Sequence, residues 1–189
     1  GWGPSVALAQ PEGLTIPSFL IQAILVKNGS IHFIDRSLEP ELSLEFSQLD
    51  LKINRFSLSA SFGFSLEGAL LSDQKNSHLE GKVQILGSEG QFQLSDARLL
   101  TDLSKLSLER LRDSLPILSD VPFPSALKGK IQLMIQNLEL GQKGLKKISA
   151  EGELHDGFLS FLEISPGISF MISRIDLKFK DLSLNGAFQ

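Results

Sequence analysis

The chain has 189 residues and a net charge of −4, a size that suits one domain or two small ones. With 18 Lys and Arg spread along the chain and only one Trp and no Tyr, it offers no clustered positive charge or stacking surface for nucleic acid. The absence of Cys excludes disulfides and thiolate metal sites, and no apolar run approaches the roughly 20 residues of a membrane-spanning helix.

Residues 1–18 are rich in Gly, Pro and small residues, and we interpret them as a linker or a trimmed leader. From residue 19 onward apolar and polar residues alternate, which predicts β-strands because successive side chains point to opposite faces. The predicted strands cover 19–27, 30–35, 42–53, 55–70, 79–86, 91–95, 127–140, 147–155, 158–164, 168–173 and 175–188. Turn residues separate them; Asn28-Gly29 suits a tight hairpin turn, and Asp156-Gly157 also predicts a turn.

The longest alternating run is RFSLSASFGFSLEGAL at residues 55–70, about twice the usual strand length of roughly 5 or 6 residues. Ribbons of about 12 to 15 residues would span about 40 to 50 Å at roughly 3.3 Å per residue. Such ribbons are long for a small sandwich of two sheets, so the length favours an extended sheet.

Residues 96–115 are the exception to the strand pattern and predict an amphipathic helix, since their leucines form two helical stripes. Asp96 can cap the start of this helix and Pro116 would end it. The middle of the segment, LSKLSL, is also compatible with a strand. Residues 116–126 contain three Pro and predict a stiff loop.

A repeated irregularity interrupts the alternation. The form apolar-x-x-apolar-x-apolar recurs as FSQLDL (46–51), INRFSL (53–58), IQNLEL (135–140) and FKDLSL (179–184). One extra residue in a strand, a β-bulge, has this effect and bends the strand. A bend between two strands explains it equally well, and both explanations predict a curved sheet.

These patterns predict a mainly β fold, a long, curved and strongly twisted antiparallel sheet with one amphipathic helix around 96–115. We expect the sheet to form a β-groove or half-open barrel. Residues 19–189 would be a single domain with two similar halves, 19–95 and 127–189, joined by the helix and the Pro-rich loop at 96–126.

No motif for catalysis is recognisable. The three His residues lie far apart, and the sequence has no G-x-S-x-G elbow, phosphate-binding loop or acidic calcium loop. We therefore predict that the chain is not an enzyme and needs no cofactor or metal; an unrecognised hydrolase is a remote alternative.

The apolar face of the ribbons is rich in Leu and Phe. A sandwich would seal this face in a dry core, whereas an open, curved sheet would leave an apolar groove, and large exposed apolar surfaces mark contacts with partners, membranes or ligands. Acyl chains suit such a groove because each buried methylene contributes roughly 0.8 kcal/mol without directional demands. The predicted lining comprises Phe56, Leu58, Phe62, Phe64, Leu66, Val83, Ile85, Ile131, Leu133, Ile135, Ile175, Leu177 and Phe179.

Two segments carry a resemblance to known proteins. ILVKNGSIHFIDRS at 24–37, followed by LSLEFSQLDLKI, FGFSLEGALLS and LEGKVQI, resembles bacterial AsmA-like proteins and their TamB relatives. LKGKIQLMIQNLELGQKGLKKISAEGELHDGFLSF at 127–161 resembles the same repeat and is also similar to GspN, an accessory subunit of type II secretion. The resemblance covers most of residues 20–164.

This resemblance implies a periplasmic protein of the bacterial cell envelope, with a β-groove used in phospholipid transport or outer-membrane homeostasis. We therefore expect a non-enzymatic module that binds or conducts acyl chains, with phospholipid or another acyl lipid and envelope proteins as partners. This chain has no transmembrane segment of its own, and a parent protein anchored in the inner membrane is compatible with that. The alternative is a structural protein-interaction module of an envelope or type II secretion complex, with a closed dry core.

Overall fold

The computed structural model describes residues 20–36, 41–87, 90–115, 122–141, 144–161 and 167–182. The expected linker at 1–18 and loop residues 116–121 lie outside these ranges. One antiparallel sheet contains eight strands in the order β1 to β8, so each strand pairs with its neighbours in the chain. The strands are β1 (Leu20–Asp35), β2 (Leu42–Ser57), β3 (Phe62–Leu70), β4 (Ser77–Leu86), β5 (Gln91–Asp102), β6 (Ala126–Gly141), β7 (Gly144–Phe161) and β8 (Ile168–Leu182).

The predicted fold class is confirmed: the protein is mainly β, with an open antiparallel sheet and one short helix. The sheet is continuous from β1 to β8. The division into two similar halves stays a prediction.

Paired residues align into rows that cross all eight strands. One row, which we call the leucine row, consists of Val26, Leu51, Leu66, Leu79, Leu99, Leu133, Gly152 and Leu177, in strand order. The adjacent row, one residue along each strand, consists of Leu25, Lys52, Ser65, Glu80, Arg98, Met134, Glu151 and Lys178. Because adjacent residues of a strand point to opposite faces, the sheet has an apolar face and a polar face.

The strands are irregular at each of the four places where the alternation breaks. Gln48 and Arg55 have positive φ angles of 52° and 54° within β2. The β6–β7 register shifts between Ile135 and Asn137, and the β7–β8 register shifts between Ile148 and Ala150. The extra residue of a bulge lets apolar side chains on both sides of it share one face. The bulge interpretation therefore holds where the register shifts, near Gln48, Asn137 and Lys180, whereas β1 and β2 keep their register across Arg55.

Two of the predicted turns are wrong, because the chain uses their residues inside strands. Asn28 lies within β1 with φ 53°, and its N–H donates to Asp50 Oδ1 at 3.1 Å. Asp156 lies within β7 with φ 52°. Asn and Asp tolerate positive φ, which a bulge uses as readily as a turn does. β8 likewise runs unbroken through residue 174, where a break was predicted.

The run at 55–70 is two strands rather than one. β2 ends at Ser57 and β3 begins at Phe62, so the chain reverses between them. Ser57 Oγ accepts hydrogen bonds from the backbone N–H groups of Ser59 and Ala60, each at 3.2 Å. Serine favours turns because its hydroxyl bonds to nearby backbone, and the alternating pattern concealed this turn.

The predicted helix begins later than expected. β5 extends to Asp102, and Asp96 is a bulge residue with φ 49° rather than a helix cap. A 3₁₀ turn at Leu103–Lys105 and helix α1 at Leu108–Ser114 follow. The hydrogen bonds of β5 to strands on both sides outweigh its helical leucine spacing. We call residues 103–115 the helical strap.

Candidate functional site: the apolar face of the sheet

The apolar face extends beyond the leucine row. A neighbouring row contains Ile24, Ile53, Phe64, Gly81, Ala97, Ile135, Ala150 and Phe179. On the other side, Ser77, Thr101, Ile131, Leu154 and Ile175 form a shorter row. At least three rows of this face are therefore mostly aliphatic or aromatic.

On this face, bulges bring the backbones of neighbouring strands close together at a few small residues. A Cβ on Gly81 would lie 2.7 Å from Ala97 Cβ, so the bulge at Asp96 brings these two backbones together. Ala97, Ile135 and Ala150 form the buried cluster, against which Leu79 and Leu133 pack. This buried cluster thus lies across β5, β6 and β7 and contains two Ala residues.

Many side chains on the rest of the apolar face are only partly buried. Across the described ranges, the Leu and Phe side chains that are buried, though none of them completely, are Leu49, Phe62, Leu71, Leu103 and Phe123. A sheet sealed against a second layer would bury Leu and Phe completely. Instead Leu177 is 53% exposed and Phe170 is 50% exposed. The apolar face is therefore open rather than the inner face of a sandwich.

All the residues predicted to line a groove lie in strands except Leu58, which lies in the β2–β3 turn. The pairing brings together Phe62 with Val83, and the rings of Phe56 and Phe62 are 5.0 Å apart. The two that are buried are Phe62 and Ile135. Four others are exposed to solvent, namely Ile131, Ile175, Leu177 and Phe179.

Sequence reasoning missed the contributions of β1, β5 and β7 to this face. Val26 of β1 belongs to the leucine row, and so does Leu99 of β5, which was assigned to a helix; Leu154 of β7 lies in the shorter row of the same face. Their alternation with polar neighbours was the available signal. Without the register, it could not show which rows these residues complete.

The helical strap lies across one end of the sheet. It connects β5 to β6, yet α1 contacts β2. Four hydrogen bonds fix it to the β3–β4 turn. Ser72 Oγ donates to the Lys105 carbonyl at 2.6 Å, and Ser107 N–H donates to the Leu71 carbonyl at 2.9 Å. Arg110 donates from Nη2 to Asp73 Oδ1 at 2.5 Å and from Nη1 to the Ser72 carbonyl at 3.3 Å.

Buried side chains fill the space between the helical strap and the sheet. Leu103 and Phe123 are buried, and the Arg112 guanidinium lies 4.8 Å from the centroid of the Phe123 ring. Ser77 and Thr101, which end the apolar rows on this side, are buried and lie 3.2 Å apart, hydroxyl to hydroxyl. The strap therefore covers this end of the apolar face over β4 and β5, whereas Phe33 on β1 and Phe170 on β8 remain about half exposed at the same end.

The polar face carries ion pairs between strands. Asp50 accepts hydrogen bonds from Lys75 Nζ at 2.6 Å and Lys27 Nζ at 3.0 Å. Together with the Asn28 N–H, these cations hold the pKa of Asp50 well below its usual range. Glu153 pairs with both His155 and Arg174 on β7 and β8. These contacts tie neighbouring strands together on the solvent side.

The polar side chains do not converge on a chemical centre within the described ranges. No three His, Asp or Glu side chains among the residues described are placed to hold a metal ion. A cleft lined by Glu67, Lys75, His78 and Lys105 encloses about 210 Å³, less than the roughly 300 Å³ at which ligand pockets begin. The helices in this part of the chain are too short or too polar to span a bilayer.

The fold and site together define an open, antiparallel eight-stranded sheet protein with one exposed apolar face. Comparison of this chain with known protein families, curated proteins and solved structures finds no match.

Proposed function

We propose that this protein is a non-enzymatic β-groove module that binds or conducts lipid acyl chains along the apolar face of its sheet. The observation that supports this most is the leucine row, which crosses all eight strands and stays uncovered at Leu177. The cell-envelope setting, with a periplasmic role in lipid transport or outer-membrane homeostasis, depends on the sequence resemblance described above.

The chemistry of the face suits a hydrocarbon ligand. The leucine row contains aliphatic side chains and one Gly, so it presents no side-chain donor or acceptor that a ligand would have to satisfy. Burial of ten methylenes would contribute about 8 kcal/mol. The cost of ordering the chain offsets part of this gain. Affinity for an acyl chain can therefore arise from burial alone.

A structural protein-interaction module is the second candidate, and the long edge strands favour it. β1 and β8 are the outer strands of the sheet, and unpaired strand edges are templates for pairing with another chain. The sequence analysis described this interaction module as a sheet closed into a dry core. The shallow burial of the described apolar face favours lipid binding over that version.

Lipid extraction and native mass spectrometry of the purified protein test the proposal. After incubation with phospholipid vesicles and separation from them, we expect phospholipid to remain bound to the protein. Absence of bound lipid, in a protein that remains folded, would contradict lipid binding and favour the interaction module.

Two variants on β8 sharpen this test. Leu177→Glu places a charge on the apolar face at an exposed position, so it should reduce bound lipid with little loss of stability. Met171→Glu is the matched control, because Met171 is 88% exposed and pairs with Phe158, beside Lys128 on the polar face. Equal lipid binding by both variants would show that the apolar face is not the site.

A further inference from the structure

We propose that the β7–β8 hairpin docks on the surface of a phospholipid bilayer, with its side chains at the boundary between head groups and acyl chains. The structure describes residues 157–161 and 167–173 of this hairpin. Docking needs no lipid in the groove, so this inference goes beyond the proposed lipid binding.

The sequence of the hairpin is almost free of charge. Residues 157–173 contain a single charged residue, Glu163, which lies outside the described ranges. The other outer hairpin, between β1 and β2, carries four charged residues at positions 35–41 alone. An exposed segment with so few charges is typical of a contact with a partner or a membrane.

Large apolar side chains lie on both faces of the hairpin. On the apolar face, the rings of Phe161 and Phe170 are 6.2 Å apart, and Phe170 is 50% exposed. On the polar face, Phe158 pairs with Met171, which is 88% exposed. A protein bound to one face would leave the other in water, whereas a bilayer surface can receive both. The two-sided pattern therefore favours a membrane over a protein partner.

The contact would be shallow, because β8 is the last strand of the described sheet. Open sheet edges do not occur within the hydrocarbon core, where their backbone groups would lack hydrogen-bond partners. Interfacial elements bury their apolar side chains about 5 to 10 Å into the head-group boundary. From Met171 to Arg174 the distance along β8 is about 10 Å, at roughly 3.3 Å per residue. Insertion to this depth would cover Met171 and bring Arg174 to the level of the phosphates.

The charged residues behind the hairpin follow the order of charge in a zwitterionic phospholipid. Nearest the hairpin three cations exceed two carboxylates, namely Lys128, Lys130 and Arg174 against Asp102 and Asp156. In the next row of the polar face, Glu153 and Asp176 lie opposite each other. Phosphates lie deeper in a bilayer than amines, so the cations would meet phosphates and these carboxylates would meet amines. This order complements a surface of phosphatidylethanolamine or phosphatidylcholine.

Fluorescent labels test which surface meets the bilayer. The chain has no Cys, so one introduced Cys carries the only label. Phe170→Cys and Met171→Cys report on the two faces of the hairpin, and Gln84→Cys reports on an exposed position at the other end of the sheet. With an environment-sensitive dye and vesicles of phosphatidylethanolamine and phosphatidylcholine, we expect blue-shifted emission at the two hairpin positions only.

The outcomes separate docking from acyl-chain binding. A shift in Phe170→Cys alone would overturn docking by the hairpin and leave a lipid on the apolar face. No shift at either hairpin position would also overturn docking, while phospholipid retained after removal of the vesicles would still support the groove. A shift at all three positions would show adsorption of the whole sheet instead of docking.

Sedimentation with vesicles measures docking in glutamate variants. Met171→Glu should lower the partition coefficient about tenfold, since burial of a Met side chain contributes about that factor. Met134→Glu is the control, because Met134 is also exposed on the polar face but lies in mid-sheet on β6. Equal losses in the two variants would overturn the assignment to the hairpin.

Met171→Glu and Leu177→Glu should have opposite effects. Docking sets the rate of lipid uptake rather than the amount bound at equilibrium, so Met171→Glu should keep its bound lipid after long incubation. Leu177→Glu should lose bound lipid but still sediment with vesicles. Loss of sedimentation in Leu177→Glu alone would mean that the groove, and not the hairpin, holds the protein on the vesicle.

Lys130→Glu tests the order of charge. It should lower sedimentation with the same zwitterionic vesicles, because it places a carboxylate at the level of the phosphates. Lys82→Glu, at an exposed position toward the other end of the sheet, should leave sedimentation unchanged. Equal sedimentation of these two variants would overturn the charge complementarity.

Discussion

Asp50 shows how single polar residues hold this sheet together. Its carboxylate contacts Lys27 on β1, the N–H of Asn28 in the β1 bulge and Lys75 in the β3–β4 turn. These groups stabilise the charged carboxylate and lower its pKa. Asp50 therefore joins the edge strand to the interior of the sheet while it is ionised.

We expect acid to weaken this connection. Because the folded-state pKa lies below the ordinary Asp value of about 3.9, the contribution is present above that value and is lost as pH falls toward the folded pKa. Asp50→Asn should lower the urea midpoint of unfolding at neutral pH. On acidification, the midpoint of this variant should then fall less than that of the unmodified protein.

Asp156→Asn is a suitable control for the acid experiment. Asp156 is exposed, and Asn tolerates its positive φ equally well. If Asp50→Asn and Asp156→Asn gave the same urea midpoints at both pH values, Asp50 would have no special role.

Gly81 is required where the chain comes closest to itself on the apolar face. In Gly81→Ala the new Cβ would lie 2.7 Å from Ala97 Cβ, so we expect a loss of about 1 to 3 kcal/mol from overpacking. Gly63→Ala on the neighbouring strand is the control, since its closest heavy atom would be the Gly81 carbonyl oxygen at 3.9 Å. Denaturant unfolding measures both, and equal stabilities would contradict the close approach.

At the scale of elements, the helical strap depends on the buried Ser72. Ser72→Ala would remove the 2.6 Å hydrogen bond to the Lys105 carbonyl, and the loss of one such bond costs about 0.5 to 1.5 kcal/mol. Amide hydrogen exchange should become faster in α1 than in β3. Ser61→Ala, at an exposed turn position, should leave exchange unchanged; similar exchange in both variants would show that the strap is held by other contacts.

The elements also show what the sequence could and could not reveal. Alternation identified most strand positions, and the interrupted alternation located the bulges near Gln48 and Asn137. Asn28 and Asp96 were misassigned because positive φ serves turns, caps and bulges alike. The choice among these depends on hydrogen bonds from a neighbouring strand, which are remote in the chain and invisible to a local pattern.

At the scale of the whole molecule, the open sheet follows from composition more than from any motif. Long strands with one Leu-rich face predicted an extended antiparallel sheet, and the described fold class agrees. For the candidate site, the strand positions of Ile131 and Leu177 were predicted, whereas Leu99 was assigned to a helix. The register of strand pairing places residues from distant strands side by side on one face. This register cannot be read from the local pattern of a single sequence.

Among the described residues no strand pairs with the outer edge of β1, and this edge predicts self-association at high protein concentration. Leu25 is exposed on the polar face of this strand, and apolar edge strands invite pairing with another chain. Leu25→Lys should reduce the weight-average mass measured by light scattering. Met134→Lys changes a residue of the same row on an interior strand and should not. Equal effects would mean that exposed apolar area, rather than the edge, drives association.

The strand order carries one last implication, for how such a chain comes together. Since every strand borders only the strands before and after it in the chain, the sheet can grow by addition of one hairpin arm at a time. Each addition extends an existing template instead of requiring a distant segment to return. An emerging polypeptide can therefore acquire its final neighbours in the order in which they are synthesised. The helical strap between β5 and β6 differs, because it contacts β2, a strand made much earlier.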